Sequence, residues 1–306
     1  MEHRKQKLVV ITGTNASGKS GLGIELARHF GAEIVSADSR QVFKGLDLGS
    51  GKVTPEEMQG VPHHLLDVAA PNDFFSLSGY QDLAYAAIDS ILERKKPAFL
   101  VGGTGLYVNA VVDGYNLKTC APDMELRAQV EALTIGELID LIREKDPAVL
   151  ERVDLQNKRR LERAAEKVLT GIQEPVANMP RYETLVLGVT WPREVLYARI
   201  RERLDRRLSQ GMIEEVVKLR AEGATDTFLY KLGLEYRYIL MYLRGEFDSY
   251  DAFYDKLFTE IRHLAKEQMT WFRKRKDIHW IDMERSPFEA ASEMIEIFLN
   301  DGGRKA

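Results

Sequence analysis

Eight consecutive residues, Gly13-Thr14-Asn15-Ala16-Ser17-Gly18-Lys19-Ser20, fit the pattern G-x-x-x-x-G-K-[ST] of a phosphate-binding loop. Glycines let such a loop turn its backbone N–H groups onto an anion, and a helix N-terminus behind it adds partial positive charge. Lys19 adds a full charge, and the Ser20 hydroxyl can hold Mg²⁺. The loop therefore binds a di- or triphosphate, without saying of which molecule. Asp38, in Ser36-Ala37-Asp38-Ser39-Arg40-Gln41, offers a carboxylate that can orient or deprotonate an acceptor group, or only cap a turn. Residue type alone leaves those two roles open. In Pro62-His63-His64-Leu65-Leu66-Asp67, neighbouring histidines on an extended segment point opposite ways, and no third ligand follows at metal spacing. The expected role is a packed, hydrogen-bonded histidine, with Asp67 in a turn.

Two basic stretches suggest contacts with phosphates and bases. Lys158-Arg159-Arg160-Leu161-Glu162-Arg163 is one, and residues 262–276, with Trp271 and Phe272 among arginines and lysines, are the other. By themselves such runs are more often only a solvated helix face. The series Arg199, Arg201, Arg203, Arg206, Arg207 winds round its helix beside Glu202 and Asp205 and is a weaker signal.

These residues need elements to hold them. The apolar run Leu8-Val9-Val10-Ile11 predicts a buried strand leading into the loop, and residues 21–30 an amphipathic helix leading out. Residues 34–36 predict a strand ending at Asp38, 80–93 a helix, and 98–101 a strand running into Gly102-Gly103-Thr104-Gly105. The loop, Asp38 and Thr104 thus all follow strands and are expected to converge at the carboxyl edge of a parallel sheet. Further on, 185–189 predict a strand, then helices over 193–210, 213–221, 229–243 and 250–275, a strand at 278–281 and a helix at 287–299. The expected fold is α/β, a P-loop NTPase-like parallel sheet flanked by helices, with a helical insertion domain. Residues 1–120 and 181–306 form the core, and the charged helices of 121–180 form the insertion.

The 306 residues carry a net charge of −4, so nucleic-acid binding would have to come from local basic patches. The single cysteine, Cys120, excludes an intrachain disulfide and fits a reducing compartment. Residues 1–7 lack the apolar core of a signal peptide, and no stretch approaches 18 apolar residues. A soluble cytoplasmic protein is expected, with no membrane association.

Taken together these segments resemble the tRNA dimethylallyltransferases (isopentenylpyrophosphate transferases). The likeness is carried by Gly13 to Ser20, by the run from Ala37 through Asp38, Ser39, Arg40 and Gln41 to Gly49, and by Gly60 to Asp67. It continues in Val101 to Tyr107 with Thr104, in Arg160-Leu161-Glu162-Arg163-Ala164, and in Leu264 to Trp271. The resemblance implies transfer of a dimethylallyl group from dimethylallyl diphosphate to N6 of the adenosine beside the tRNA anticodon, by a monomer using Mg²⁺ on Ser20. It gives Lys19 and the loop the departing diphosphate, Asp38 the N6 proton, and Thr104 a place beside the target nucleotide. For tRNA binding it implies Asp38, Ser39, Arg40, Gln41, Thr104, Arg127, Arg159, Arg160, Arg163, Lys266 and Arg273. Some positions depart from the family pattern. Thr14 and Asn15 replace Pro and Thr, with Asn15 expected to donate to phosphate, and Glu267 stands where arginine is usual. Gly233-Leu234-Glu235-Tyr236-Arg237 lacks the usual Gly-Tyr-Lys/Arg, so that either Arg237 fills the cation's place or Glu235 occupies it. Two other activities fit parts of the sequence: prenylation of a free adenine nucleotide, and small-molecule phosphorylation with Asp38 activating a hydroxyl. A non-catalytic RNA-binding relative is disfavoured by the intact Lys19, Ser20 and Asp38.

Overall fold

The computed structural model describes residues 5–117, 123–171 and 177–301; Cys120 lies outside them. The chain forms two compact units, Met1–Gly114 with Pro180–Ala306, and Tyr115–Met179.

In the larger unit, β1 (Lys7–Gly13) is buried from Leu8 onward. Leu8 and Val10 join one core while Val9 and Ile11 join another, as the two-residue period of a strand covered on both faces requires. α1 (Lys19–Phe30), β2 (Glu33–Ser36), α2 (Pro55–Met58), β3 (His63–His64), α3 (Leu77–Glu93), β4 (Ala98–Gly102) and α4 (Gly105–Val112) follow. The smaller unit packs α5 (Met124–Ala132), α6 (Ile135–Lys145) and α7 (Lys158–Thr170) around Val130, Leu138, Ile142, Leu161 and Ala165. Its helices begin on Asp123, Thr134 and Asn157, each of whose side chains accepts first-turn N–H groups.

The chain then returns to the larger unit with β5 (Glu183–Thr190), α8 (Arg193–Ser209), α9 (Met212–Ala221), α10 (Asp226–Leu232), α11 (Leu234–Leu243), α12 (Tyr250–Phe272), β6 (Ile278–Asp282) and α13 (Pro287–Asn300). The sheet is wholly parallel, in the order β3-β2-β4-β1-β5-β6. β1 thus lies between β4 and β5, and its loop opens mid-edge, where ligands of such sheets bind. A third core, including Tyr236, Ile239, Phe253 and Leu257, joins α8 through α12 to residues 42–46. Each such fully buried side chain contributes about 1.5–3 kcal/mol.

Two expected helices change. The helix expected over 229–243 is two, α10 and α11, because Gly233 between them is extended at φ 170° and ψ 179°. A Cβ there would lie 2.8 Å from Arg40 Cδ, so the break is where the chain passes Arg40. α12 stops at Phe272 instead of 275, and Arg275 turns back to donate to Asp113, Asn109 and Asp277. Among the described residues no helix is long and apolar enough to cross a membrane.

Candidate active site

The residues from Gly13 to Ser20 wrap the N-terminus of α1. Gly18 takes the left-handed conformation at φ 86°, which tightens the turn into the helix. The loop's carbonyls are drawn into other bonds. Lys19 Nζ donates to Thr14 O (3.2 Å), Arg199 Nε to Ala16 O (3.0 Å) and Trp191 Nε1 to Ser17 O (2.8 Å). The N–H groups from Gly18 to Gly21 precede the first intrahelical acceptor and have no side-chain cap. That arrangement is an anion cradle.

The cradle opens into a cavity of about 620 Å³, lined among others by Lys19, Ser20, Asp38, Arg40, Gln41, Gly51, Arg203, Arg207, Glu235 and Gln268. Asp38 Oδ1 accepts the backbone N–H of Arg40 (2.9 Å) and of Gln41 (3.4 Å). The carboxylate therefore caps its own turn and also faces the cavity, joining the two roles that residue type left open. Thr104 Oγ1 accepts Ser39 N–H (3.1 Å) and stands 3.4 Å from Ser39 Oγ, which ties the ends of β2 and β4 together beside the cavity. Gln41 spends its carboxamide on the wall, donating to Gly51 O (3.1 Å) and accepting from Ser36 Oγ (3.3 Å).

Cations dominate the wall. Burial, and then the nearby Arg203 guanidinium, bring Lys19 down to about 8. Burial and Arg207 bring Arg203 down to about 9, and Arg207 is lowered in the same way. Arg40 moves upward, since the carboxylates of Glu235 and Asp38 outweigh the penalty of its burial. Arg207 Nη2 and Ser17 Oγ are buried with no hydrogen-bond partner among the described residues. Such orphans are costly, and an anion in the cavity would satisfy them.

The cavity also suits a metal-bound anion. Ser20 contributes a hydroxyl and Asp38 a carboxylate, while no cluster of three or more His, Cys, Asp or Glu occurs among the described residues. A small cation held mainly by phosphate oxygens and water needs no more than this.

Other expected residues lie elsewhere. Arg127 pairs with Glu166 through Nε (3.1 Å) and Nη2 (3.3 Å), and Arg163 also contacts Glu166. Arg160 faces Asp154 at 3.7 Å, and Arg159 is exposed. Lys266 and Arg273 are exposed on α12 and just beyond it, as is Glu267. Phe272 is fully buried and has no open face for stacking a base, while Trp271 is half-buried against the same core. Asn15 turns toward α12, with Nδ2 donating to Ile261 O (3.3 Å), instead of toward an anion. Arg237 is not the missing cation; its guanidinium lies over Tyr230 and donates to the Tyr230 carbonyl. His64 contacts Glu33 and His63 the Val61 carbonyl, each at 2.8 Å, away from any metal geometry.

Several lining residues were not among the sequence-derived site candidates. Arg199, Arg203 and Arg207 repeat every fourth position, so one face of α8 points at the loop and cavity. That spacing was the available signal for Arg203 and Arg207. Gln268 accepts Asn15 N–H (2.8 Å) and donates to Gly103 O (2.9 Å), bridging the loop to the end of β4. Glu235, met only as a departure, is buried between Arg40 and Arg207.

A glycine-rich anion loop on an inner strand of a parallel sheet, sharing a cavity with a carboxylate from the end of the strand two places away, defines a P-loop α/β protein with a polyanion site. Known proteins narrow the class. The chain belongs to the IPP transferase family, whose model matches residues 41–275. A tRNA dimethylallyltransferase 2 of Shewanella sediminis is 40% identical over 294 residues, covering 94% of this chain and 97% of that protein. The crystal structure of a full-length tRNA isopentenylpyrophosphate transferase from Bacillus halodurans superposes with a TM-score of 0.74 at 35% identity, over 97% of this chain and 98% of that one. A eukaryotic dimethylallyltransferase acting on tRNA shares the fold with a TM-score of 0.78 at 20% identity, over 98% of this chain and 80% of that one.

Proposed function

We propose that this protein is a tRNA dimethylallyltransferase, moving the dimethylallyl group of dimethylallyl diphosphate to N6 of the adenosine 3′-adjacent to the anticodon. The observation that carries the reading is the shared cavity of the cation-lined loop and Asp38. Neither β4 nor β5, the strands flanking β1, ends on a carboxylate, so the loop suits a leaving group better than nucleotide hydrolysis.

In the reaction the C1–O bond to the diphosphate breaks as the C1–N6 bond forms. Negative charge grows on the departing diphosphate, where Lys19, Arg203, Arg207 and the N–H groups of Gly18 to Gly21 stabilise it. Mg²⁺, held by Ser20 and the diphosphate oxygens, would add Lewis-acid stabilisation of the same charge. Asp38, with Oδ1 fixed by two backbone N–H groups, presents Oδ2 to take the N6 proton. The adenine has to leave its stack, at a cost of a few kcal/mol that contacts to the anticodon arm offset. Arg159, Arg160, Lys266 and Arg273 are the exposed cations proposed for that arm. Contact by Arg127 or Arg163 requires exchanging Glu166 for phosphate. The same reading makes the protein a cytoplasmic monomer, where tRNA and diphosphate donor are both dissolved.

The test is prenylation of an unmodified anticodon stem-loop against AMP and ATP, with mass detection of the product base. Product on the stem-loop is expected; product only on the free nucleotide, or ATP consumption without diphosphate release, would replace the reading. The diphosphate site also predicts a pH dependence. Lys19 sits near 8 without an anion, and a bound diphosphate raises it, so binding takes up a proton above that pH. Affinity for isopentyl diphosphate, an unreactive donor analogue, is expected to be level between about pH 7 and 8, where the ligand is fully ionised, and to fall by up to about tenfold per unit from pH 8 to 9, with Arg203 adding to the loss beyond that. Calorimetry in buffers of different ionisation enthalpy measures the uptake, and no uptake at pH 9 would remove Lys19 from the contact.

A further inference from the structure

Glu235 is an acid in the wall of an anion site, at 5% exposure. Its Oε2 lies 2.7 Å from Arg40 Nη1, and its Oε1 lies 3.8 Å from Arg207 Nη1, so one carboxylate spans two cations. Those arginines come from separate segments of the chain. Arg40 follows Asp38, and Arg207 stands on α8 with Arg203, whose Nη2 donates to Gly51 O at 3.4 Å. Gly51 takes a left-handed φ of 64°, and a Cβ there would fall on Arg207 Nη2, so a side chain would displace the guanidinium. The orphaned Nη2 is therefore pressed against bare backbone, while Nη1 is steadied by Glu235. Without that carboxylate, Asp38 would be the chief remaining counter-charge to Lys19, Arg40 and Arg203. The next residue, Tyr236, donates to Glu215 Oε1 (2.9 Å), and that carboxylate accepts the N–H groups of Asp47, Leu48 and Gly49. Two consecutive residues of α11 thus set the arginines and the loop that packs on them.

Resting on the diphosphate-site reading, we propose that Glu235 is a positioning residue that holds Arg40 and Arg207 in the wall and offsets part of their charge, so that the product diphosphate is released. A cavity of unopposed cations would grip both donor and product more tightly, and uniform tightening lowers KM without raising kcat. Glu235→Gln keeps the shape and removes the charge. With magnesium present, the full-length variant is expected to bind inorganic pyrophosphate about tenfold more tightly, as one lost anion beside the ligand implies. Its kcat and its KM for dimethylallyl diphosphate are expected to fall together as product release slows. Glu235→Asp keeps the charge, and its pyrophosphate affinity is expected to stay within about threefold of the parent's, as is that of the Glu235→Gln, Arg40→Gln double variant, which restores the charge balance while losing tRNA prenylation with Arg40.

A folded Glu235→Gln protein with unchanged or weaker pyrophosphate binding would overturn the proposal, because a merely structural residue would give that result. Should Glu235→Gln not fold, the double variant decides: affinity near the parent's supports the charge balance, and a loss of more than about tenfold overturns it. Failure of the unmodified protein to bind pyrophosphate at all would instead overturn the diphosphate-site reading.

Discussion

Asp38→Asn is expected to slow prenyl transfer by about 10²–10⁴-fold, the usual contribution of a general base. The substitution separates the two things Asp38 does. The amide oxygen of asparagine can keep the N–H bonds of Arg40 and Gln41 that Oδ1 now receives, so the turn after β2 survives. The other atom becomes an NH₂ group, which cannot take the N6 proton. Affinity for the anticodon stem-loop should therefore stay within about twofold, the change expected when an interaction made only in the transition state is lost. Single-turnover prenylation beside stem-loop binding checks both halves. A variant that keeps a third or more of its rate would show that the N6 proton leaves by another route.

Lys19→Met is expected to cost about 10²–10³-fold in kcat, the scale seen when one preorganised donor to a developing oxyanion is removed. Lys19 Nζ is braced by the Thr14 carbonyl, and a Cβ on Gly103 would lie 3.1 Å from it. Its charge is thus fixed where the diphosphate leaves, and it matters most when the C1–O bond is partly broken. For that reason kcat should fall by a larger factor than KM rises. Lys19→Arg is not expected to rescue the loss, because the guanidinium is too broad for a site bounded by Gly103, Gln268 and the Gly13 carbonyl. A Lys19→Met enzyme with full kcat and only a raised KM would mean that Lys19 binds the donor without assisting its departure.

The loop, Asp38 and Thr104 were legible in the sequence because each depends on a local rule: an apolar strand, then a turn of small or polar residues at its carboxyl end. The parallel sheet followed from the same strands. What the sequence hid was set by packing between distant segments. An arginine on α8 looks the same whether it faces water or the loop, and only the docking of α8 on residues 46–52 buries Arg207 and half-buries Arg203. Gln268 lay inside a stretch that carries the resemblance, but its bridging role was hidden, since both its partners lie more than 160 positions away. Phe272 misled in the opposite sense: an aromatic among basic residues suggested base stacking, but the period of α12 turns it into the core. Gly233 broke a helix that apolar spacing had run through, because Arg40 passes too close for a side chain there.

The strand order has a consequence for the chain while it is being made. β1 pairs on one side with β4, which ends at Gly102, and on the other with β5, which begins only at Glu183. Translation proceeds at about 5–20 residues per second, so the central strand waits on the order of ten seconds with one flank unpaired. That flank is apolar on both faces and offers a row of free N–H and C=O groups, the kind of edge that recruits other chains. The residues made during the wait are those of the smaller helical unit, which fold around a core of their own and supply no strand to close the gap. The nascent protein thus meets its greatest risk of misassociation just before β5 emerges, after its anion loop has been synthesised and before the sheet that supports it is complete.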